Sequence, residues 1–298
     1  MILVVGSTGF LGEEICHRLV MQGKSVRALV RKSSNPETTK RLLEMGVETI
    51  VGDLRHPESL KSACQGIQTV ISTATTTARQ DEGNSIPATD QQGQLNLVAA
   101  ARDAGVIQFI YISYSKNIDP GPQLCPLTVA KRNLEEAIKQ SGMTYTILRP
   151  SYFMEGWLSP EIGFDYPNAK ATIYGQGHNK ISWISIHDVA QMAVLAVDHP
   201  QAQNQIIELG GPTAFSPLEV VGIFEHVTGR KFDTQFVPEE ALETQQATAT
   251  DPLMKSFSAL MLSYAHGDVV DMQVTAQTYQ LQLTTLEDYA RSTMKVAV

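Results

Sequence analysis

Val4-Val5-Gly6-Ser7-Thr8-Gly9-Phe10-Leu11-Gly12 carries an apolar strand straight into a glycine turn that opens a helix. Upstream, Ile2–Val5 reads as a short buried strand; downstream, Leu11, Ile15, Leu19 and Val20 recur at helical spacing. Gly6 suits the backbone of a tight turn, Gly9 lets the main chain approach a pyrophosphate with no Cβ in the way, and Gly12 lets the helix pack close on the strand. An anion would rest on the free N–H groups of the helix start. The spacing is Gly-x-x-Gly-x-x-Gly, one residue wider in its first gap than the commonest dinucleotide fingerprint. The glycines gain their meaning from the strand before them and the helix behind. The expectation is an α/β fold with a doubly wound parallel (Rossmann) sheet, in which Gly6, Ser7, Thr8, Gly9, Phe10, Leu11 and Gly12 form the cofactor turn.

A second stretch bears on which cofactor. Residues 25–30 form a β-rich run that ends in Arg31-Lys32-Ser33-Ser34. In a doubly wound fold the tip of the second strand reaches the adenosine ribose about 20 residues after the glycine turn, and an acid there would bond the 2′-hydroxyl. Arg31 holds that place, with Lys32 next to it. Two cations and two hydroxyls suit a 2′-phosphate, because arginine offers a bidentate fork to phosphate oxygens; the alternative is a solvated basic loop. The cofactor expected is therefore NADP(H). A third strand, 47–51, ends in Gly52-Asp53-Leu54, where Asp53 either receives the adenine amino group or starts the next turn. A fourth, 69–72, ends in Thr73-Ala74, small residues that would pass under the cofactor.

Composition narrows the partners. The net charge of −8 and pI near 5.4 argue against nucleic acid or an anionic membrane and favour a small-molecule substrate. A homodimer or a regulatory protein partner stays open. A first strand beginning at Ile2 and the lack of an apolar stretch near 18 residues lead to the expectation of a cytoplasmic protein. Cys16, Cys64 and Cys125 are odd in number and far apart, so neither a disulfide nor a metal site is indicated.

Further along, 36–45 and 57–64 read as helices, 75–88 as a polar loop beside the cofactor cleft, and 89–104 as a fourth helix. Residues 108–113 form a buried strand ending in Ser113-Tyr114-Ser115-Lys116, and ligands of such sheets bind beyond strand carboxyl ends. Ser113 is a cofactor candidate and Tyr114 a catalytic one. A loop holding Pro120, Gly121 and Pro122 precedes a helix at 126–141, where Lys131 borders the apolar stripe of Leu127, Ala130, Leu134, Ala137 and Ile138. Lys131 either points into the cleft or forms an exposed pair with Glu135. After a sixth strand at 144–148, Arg149-Pro150 hands the 1–150 dinucleotide domain over to a smaller C-terminal α/β substrate region, 151–298, some segments of which return to the sheet. Tyr152, Phe153, Met154 and Trp157 cluster at that exit, either as core or as the wall of a nicotinamide or flat-substrate site. Short strands are expected at 171–174, 180–184 and 206–209. Ser185-x-x-Asp188 reads as the cap of a helix to Asp198, with His187 a helix-start residue. Ser216-Pro217-Leu218-Glu219 reads as a second cap and Thr284-x-x-Glu287 as a third. Helices are expected at 239–246 and 251–265; the latter has a Met-rich face that is either core or lid.

These residues resemble the atypical short-chain dehydrogenase/reductases, and within them the NmrA-like group. The likeness runs from Val5 to Gly12 through Leu29-Val30-Arg31-Lys32, Gly52-Asp53-Leu54, Asp90 to Leu97, Ala130-Lys131, Leu148-Arg149-Pro150 and Ile184 to Ala190 to Leu209-Gly210-Gly211-Pro212. The resemblance implies an NADP(H)-binding Rossmann domain with a small C-terminal substrate region, in a group of isoflavone-reductase-like enzymes, quinone reductases and redox sensors that bind the dinucleotide without turning it over. It also implies a functional role for Lys131. One departure stands out: where acid-base dehydrogenases carry Tyr-x-x-x-Lys, the position four before Lys131 is Leu127, which neither donates nor accepts a proton. The expectation is an NADPH-dependent reductase of a quinone or other small conjugated carbonyl, with Lys131, Tyr114 or Tyr152 supplying the proton. The competing reading is a dinucleotide sensor acting through a protein partner.

Overall fold

The computed structural model describes residues 1–78, 83–118 and 125–296. It divides into two compact units: Met1–Ser113 with Pro126–Leu148 and Ala190–Ile207, and Tyr114–Cys125 with Arg149–Val189 and Glu208–Val298. In chain order the first part comprises β1 (Ile2–Val5), α1 (Phe10–Met21), β2 (Val26–Val30), α2 (Pro36–Glu44), β3 (Glu48–Val51), α3 (Pro57–Ala63), β4 (Thr69–Ser72), α4 (Gln94–Asp103), β5 (Gln108–Ile112), α5 (Pro126–Gln140) and β6 (Thr144–Pro150). Then come α6 (Met154–Trp157), β7 (Phe164–Asp165), β8 (Lys170–Tyr174), α7 (Ile186–Asp198), β9 (Gln205–Leu209), α8 (Pro217–Thr228), β10 (Asp233–Val237), α9 (Glu239–Thr248), α10 (Pro252–His266), α11 (Gln273–Tyr279) and α12 (Leu286–Val296).

The central sheet has strand order β3-β2-β1-β4-β5-β6-β9, and every pair from β3 to β6 is parallel. This is the doubly wound Rossmann-like arrangement. Strand order reverses at β1, and sheets of this kind bind ligands beyond the strand carboxyl ends at such a switch point. β1 and β4 are buried along their whole length because helices cover both faces, which explains their unbroken apolar runs. Leu3, Val5, Val70, Phe109, Tyr111 and Ile147 belong to one core cluster with Leu97 and Ala101 of α4 and Leu134 and Ile138 of α5. Local chemistry fixes the helix ends: the Asn35 side chain accepts from the Glu37 and Thr38 N–H groups with Pro36 at the first turn, as expected of a good N-terminus.

The second unit has a three-stranded sheet, β10-β8-β7, parallel at β10–β8 and antiparallel at β8–β7. Ser216 and Glu219 form the expected reciprocal capping box at α8. Among the described residues no helix is long and apolar enough to cross a membrane.

Several expectations need correction. The helix expected at 89–104 begins earlier, as a π-helical turn over Ile86–Gly93 capped by Ser85, before α4 proper; Thr76–Ala78 is a short 3-10 turn, so 75–88 is only partly loop. Residues 79–82 of that loop, and Pro120, Gly121 and Pro122, lie outside the described residues. No strand forms over 180–184; Ile181 makes single bridges to Phe215 and Asp268, and Ile184 one to Phe153. At α7 the Ser185 half of the expected cap forms, its hydroxyl accepting from the His187 N–H at 3.2 Å, and the same hydroxyl donates at 2.6 Å to the Glu155 carboxylate, which also accepts from the Ile186 N–H at 3.0 Å. Asp188 turns instead to Thr284, accepting from its N–H at 2.9 Å and its hydroxyl at 2.8 Å, because a buried carboxylate needs donors and that threonine supplies two. The last cap falls one residue later than expected: Thr285 accepts from the Asp288 N–H. Cys16, Cys64 and Cys125 are buried thiols that are not joined in a disulfide.

Candidate functional site

The glycine turn separates into positions the chain's own packing demands and one it does not. Gly6 has φ +86°, and a Cβ there would lie 2.5 Å from the Thr73 hydroxyl and 2.8 Å from the Ala74 nitrogen at the end of β4. A Cβ on Gly12 would lie 2.2 Å from the Gly6 carbonyl oxygen. Gly9 is different: the nearest atom to its Cβ would be the Gly6 oxygen at 3.4 Å, an ordinary contact, so folding alone does not require glycine there. α1 starts at Phe10 with no side-chain cap, leaving its first N–H groups to face outward. A backbone cradle of bare Cα and uncapped N–H groups fits a dinucleotide diphosphate.

Apart from Phe153, the other expected cofactor residues lie in the first unit. Ser7 is fully buried and its hydroxyl donates to the Leu29 carbonyl at 3.0 Å, fastening the turn to β2. Thr8 and Leu11 are half-buried, and Phe10 is 85% exposed. Arg31 and Lys32 follow the carboxyl end of β2 in a turn closed by the Arg31 N–H donating to the Ser34 hydroxyl at 2.9 Å and the Ser34 N–H to the Arg31 carbonyl at 3.0 Å. Ser34 is thus turned inward, and Arg31, Lys32 and Ser33 form the outer side of the turn. Asp53 takes one of the two roles the sequence allowed, the start of the next turn. It opens a turn by accepting from the Arg55 N–H at 2.9 Å, and it also pairs with the Arg55 guanidinium at 2.6 Å, which holds its pKa below the usual carboxylate range. Leu54 is buried. Thr73 donates to the Val5 carbonyl, and the Ala74 carbonyl accepts from Gln94 at 2.8 Å.

Lys131 is neither an exposed charge nor a surface partner of Glu135; both are buried. Its Nζ donates to the Tyr111 hydroxyl at 3.3 Å and to the Ile112 carbonyl at 3.4 Å, and it lies 5.2 Å from the Tyr111 ring centroid. Burial lowers its pKa from the ordinary 10.5 to about 8; Asp90 and Glu135 pull it up, and Arg132 adds to the lowering. Asp90, in the π-helical turn, accepts from the Thr76 N–H at 3.1 Å and hydroxyl at 2.6 Å. Glu135 accepts from Arg132 and from the Ser113 hydroxyl, both at 2.6 Å, and Arg132 also donates to the Ser113 hydroxyl at 3.2 Å. The Ser113 side chain therefore belongs to this charge cluster. Sequence reading missed Tyr111, Arg132 and the charge of Asp90; a tyrosine inside the otherwise apolar Phe109-Ile110-Tyr111-Ile112 was the available signal, since a buried hydroxyl needs a partner.

Tyr114, Tyr152 and Phe153 lie in the second unit. Tyr114 is buried directly after β5 and Ser113, and Phe153 is half-buried. Tyr152 is 2% exposed, its hydroxyl donates to the Leu260 carbonyl at 3.0 Å, and its ring meets Trp157, Trp183 and Tyr264 with centroids 4.8, 6.3 and 5.9 Å away. Burial pushes its pKa well up. Of the two alternatives for the exit cluster, Tyr152 takes the role of core. Among the described residues no group of three His, Cys, Asp or Glu is placed to hold a metal ion.

A parallel doubly wound sheet with a glycine turn at its switch point defines the class of Rossmann-like proteins. More narrowly, the chain matches the NmrA-like family over residues 1–290 and belongs to it. It is 32% identical over 239 residues to the NAD(P)H azoreductase of Xenophilus azovorans, covering 77% of this chain and 74% of that one. It is 29% identical to the photosystem II assembly factor Ycf39 of Synechocystis, covering 97% and 89%. The structure of an NADPH-dependent quinone oxidoreductase from Escherichia coli complexed with NADPH superposes with a TM-score of 0.79 at 21% identity, covering 99% of this chain and 100% of that one.

Proposed function

We propose that this protein is an NADPH-dependent oxidoreductase that reduces a quinone or another small conjugated carbonyl. The observation that carries the reading is the buried Lys131 amine, lowered to about 8, in the unit that holds the uncapped glycine turn. At neutral pH such a group is protonated yet gives up its proton readily, as a general acid must. In this reading the Phe10, Leu11 and Gly12 N–H groups bind the diphosphate, Arg31 and Lys32 grip the 2′-phosphate, and Asp53 and Leu54 receive the adenine. The bound nicotinamide supplies a hydride. Lys131 polarises the acceptor oxygen and protonates it. A quinone asks least of the chain, because its reduced oxygens are weakly basic and water can complete their protonation. The azoreductase and quinone oxidoreductase names among its relatives and structural neighbours agree with this class of chemistry.

A second reading, a dinucleotide sensor that acts through a protein partner, is favoured by Leu127, 2% exposed where an acid-base tyrosine would stand, and by the kinship with an assembly factor. Incubating the protein with NADPH and a panel of quinones, followed at the nicotinamide absorbance, separates the two. Consumption that falls at least about tenfold in Lys131→Ala is expected. Tight cofactor binding with no consumption on any acceptor would give the sensor reading the field.

A further inference from the structure

Resting on the reading of Lys131 as the proton donor, we infer that Tyr111 is its positioning residue: the β5 hydroxyl holds the lysine nitrogen in place, a service that Leu127 cannot perform from α5. The two side chains come from different elements and meet at 3.3 Å, with the Lys131 nitrogen also over the Tyr111 ring and against the Ile112 carbonyl.

A hydroxyl suits a lysine that gains and loses a proton. It accepts from the ammonium when Lys131 is charged, and it can donate to the amine when Lys131 is neutral. The Ile112 carbonyl can only accept. Tyr111 thus keeps the nitrogen tethered through both halves of a proton cycle, whereas a carbonyl or carboxylate alone favours the charged half. Tyr111 itself stays a neutral hydroxyl, because burial first, then the charges of Asp90 and Glu135, push its pKa well up against the smaller opposing effect of Arg132. The groups that face the pair are Asp90 from the π-helical turn and Arg132 and Glu135 from α5. Asp90 is held by Thr76, and Glu135 by Arg132 and Ser113. These hydrogen bonds run to residues other than Tyr111, so they stay in place when its hydroxyl is deleted.

The test uses full-length protein carrying lysine labelled with carbon-13 at Cε, in the wild type and in Tyr111→Phe, with the Lys131 signal assigned by its loss in Lys131→Met. Loss of an acceptor to a buried ammonium should weaken proton binding at Lys131 about tenfold. The alkaline limb of the kcat profile with NADPH and a quinone should move to lower pH by the same amount, with the KM for NADPH held. A 3-fluorotyrosine at position 111 keeps the shape while weakening the acceptor, and should give a smaller movement in the same direction even if the phenylalanine variant folds poorly. A Lys131 signal that titrates identically in all three proteins would overturn the inference while leaving the reductase reading intact. If no acceptor is reduced by any of them, the reductase reading fails, and the titration still decides the role of Tyr111.

Discussion

Lys131 places an ammonium where water cannot solvate it, and that has a consequence for stability independent of any reaction. Below about pH 8 the folded chain holds the buried charge at a cost of roughly 3 kcal/mol, from the lowering of its pKa from 10.5 to about 8. Between those two values only the unfolded chain still binds the proton, so stability rises with pH across the window; above it the cost is gone. Lys131→Met lacks the effect. Urea unfolding of both proteins should show the wild type gaining roughly 2 to 3 kcal/mol relative to the variant between pH 7 and pH 10. Cys16 and Cys64, whose thiols burial pushes up to about 12 and about 11, lower stability at alkaline pH in both proteins and cancel from the difference. A difference that stays flat with pH would mean that the lysine is hydrated.

Tyr152 gives the contrasting residue. Its hydroxyl serves the Leu260 carbonyl, so Tyr152→Phe should cost about 1 kcal/mol in unfolding free energy and leave turnover unchanged. A large fall in kcat at constant stability would return Tyr152 to the list of proton donors.

At the scale of the element, the β1–turn–α1 unit distinguishes glycines that the packing of the chain requires from one that it does not. Gly12→Ala drives a Cβ to 2.2 Å from a backbone oxygen, and should destabilise by several kcal/mol or abolish folding. Gly9→Ala meets only an ordinary contact and should change stability by no more than about 1 kcal/mol, while cutting NADPH affinity at least about tenfold. Thermal unfolding with and without NADPH checks both, and equal stability losses in the two variants would contradict the distinction. This unit was legible in the sequence because its signals, an apolar run, three glycines and a helical stripe, are all local. What stayed hidden was assembled over distance. Tyr111 and Lys131 are 20 residues apart, Glu155 reaches Ile186 across 31, and Asp188 reaches Thr284 across 96. No spacing rule joins such pairs; only the fold does. β10 was missed for another reason: Asp233–Val237 is half exposed and polar, so it lacks the alternation by which strands are recognised, and its pairing with β8 defines it.

For the whole molecule, the proposed function rests on one event, the seating of an NADP(H) diphosphate on the glycine turn with its 2′-phosphate at Arg31 and Lys32. Binding to the folded state alone would also raise the unfolding temperature with the logarithm of cofactor concentration above Kd, by mass action. The second unit's aromatic cluster, from Tyr152 and Trp157 through Trp183 and Tyr264, is built of its own ring contacts. The most direct measurement is calorimetric titration of the purified protein with NADPH and with NADH at the same ionic strength. The account predicts NADPH binding at least about tenfold tighter than NADH, with the preference lost in Arg31→Ala/Lys32→Ala. Equal or tighter binding of NADH, or no affinity for either nucleotide, would contradict it.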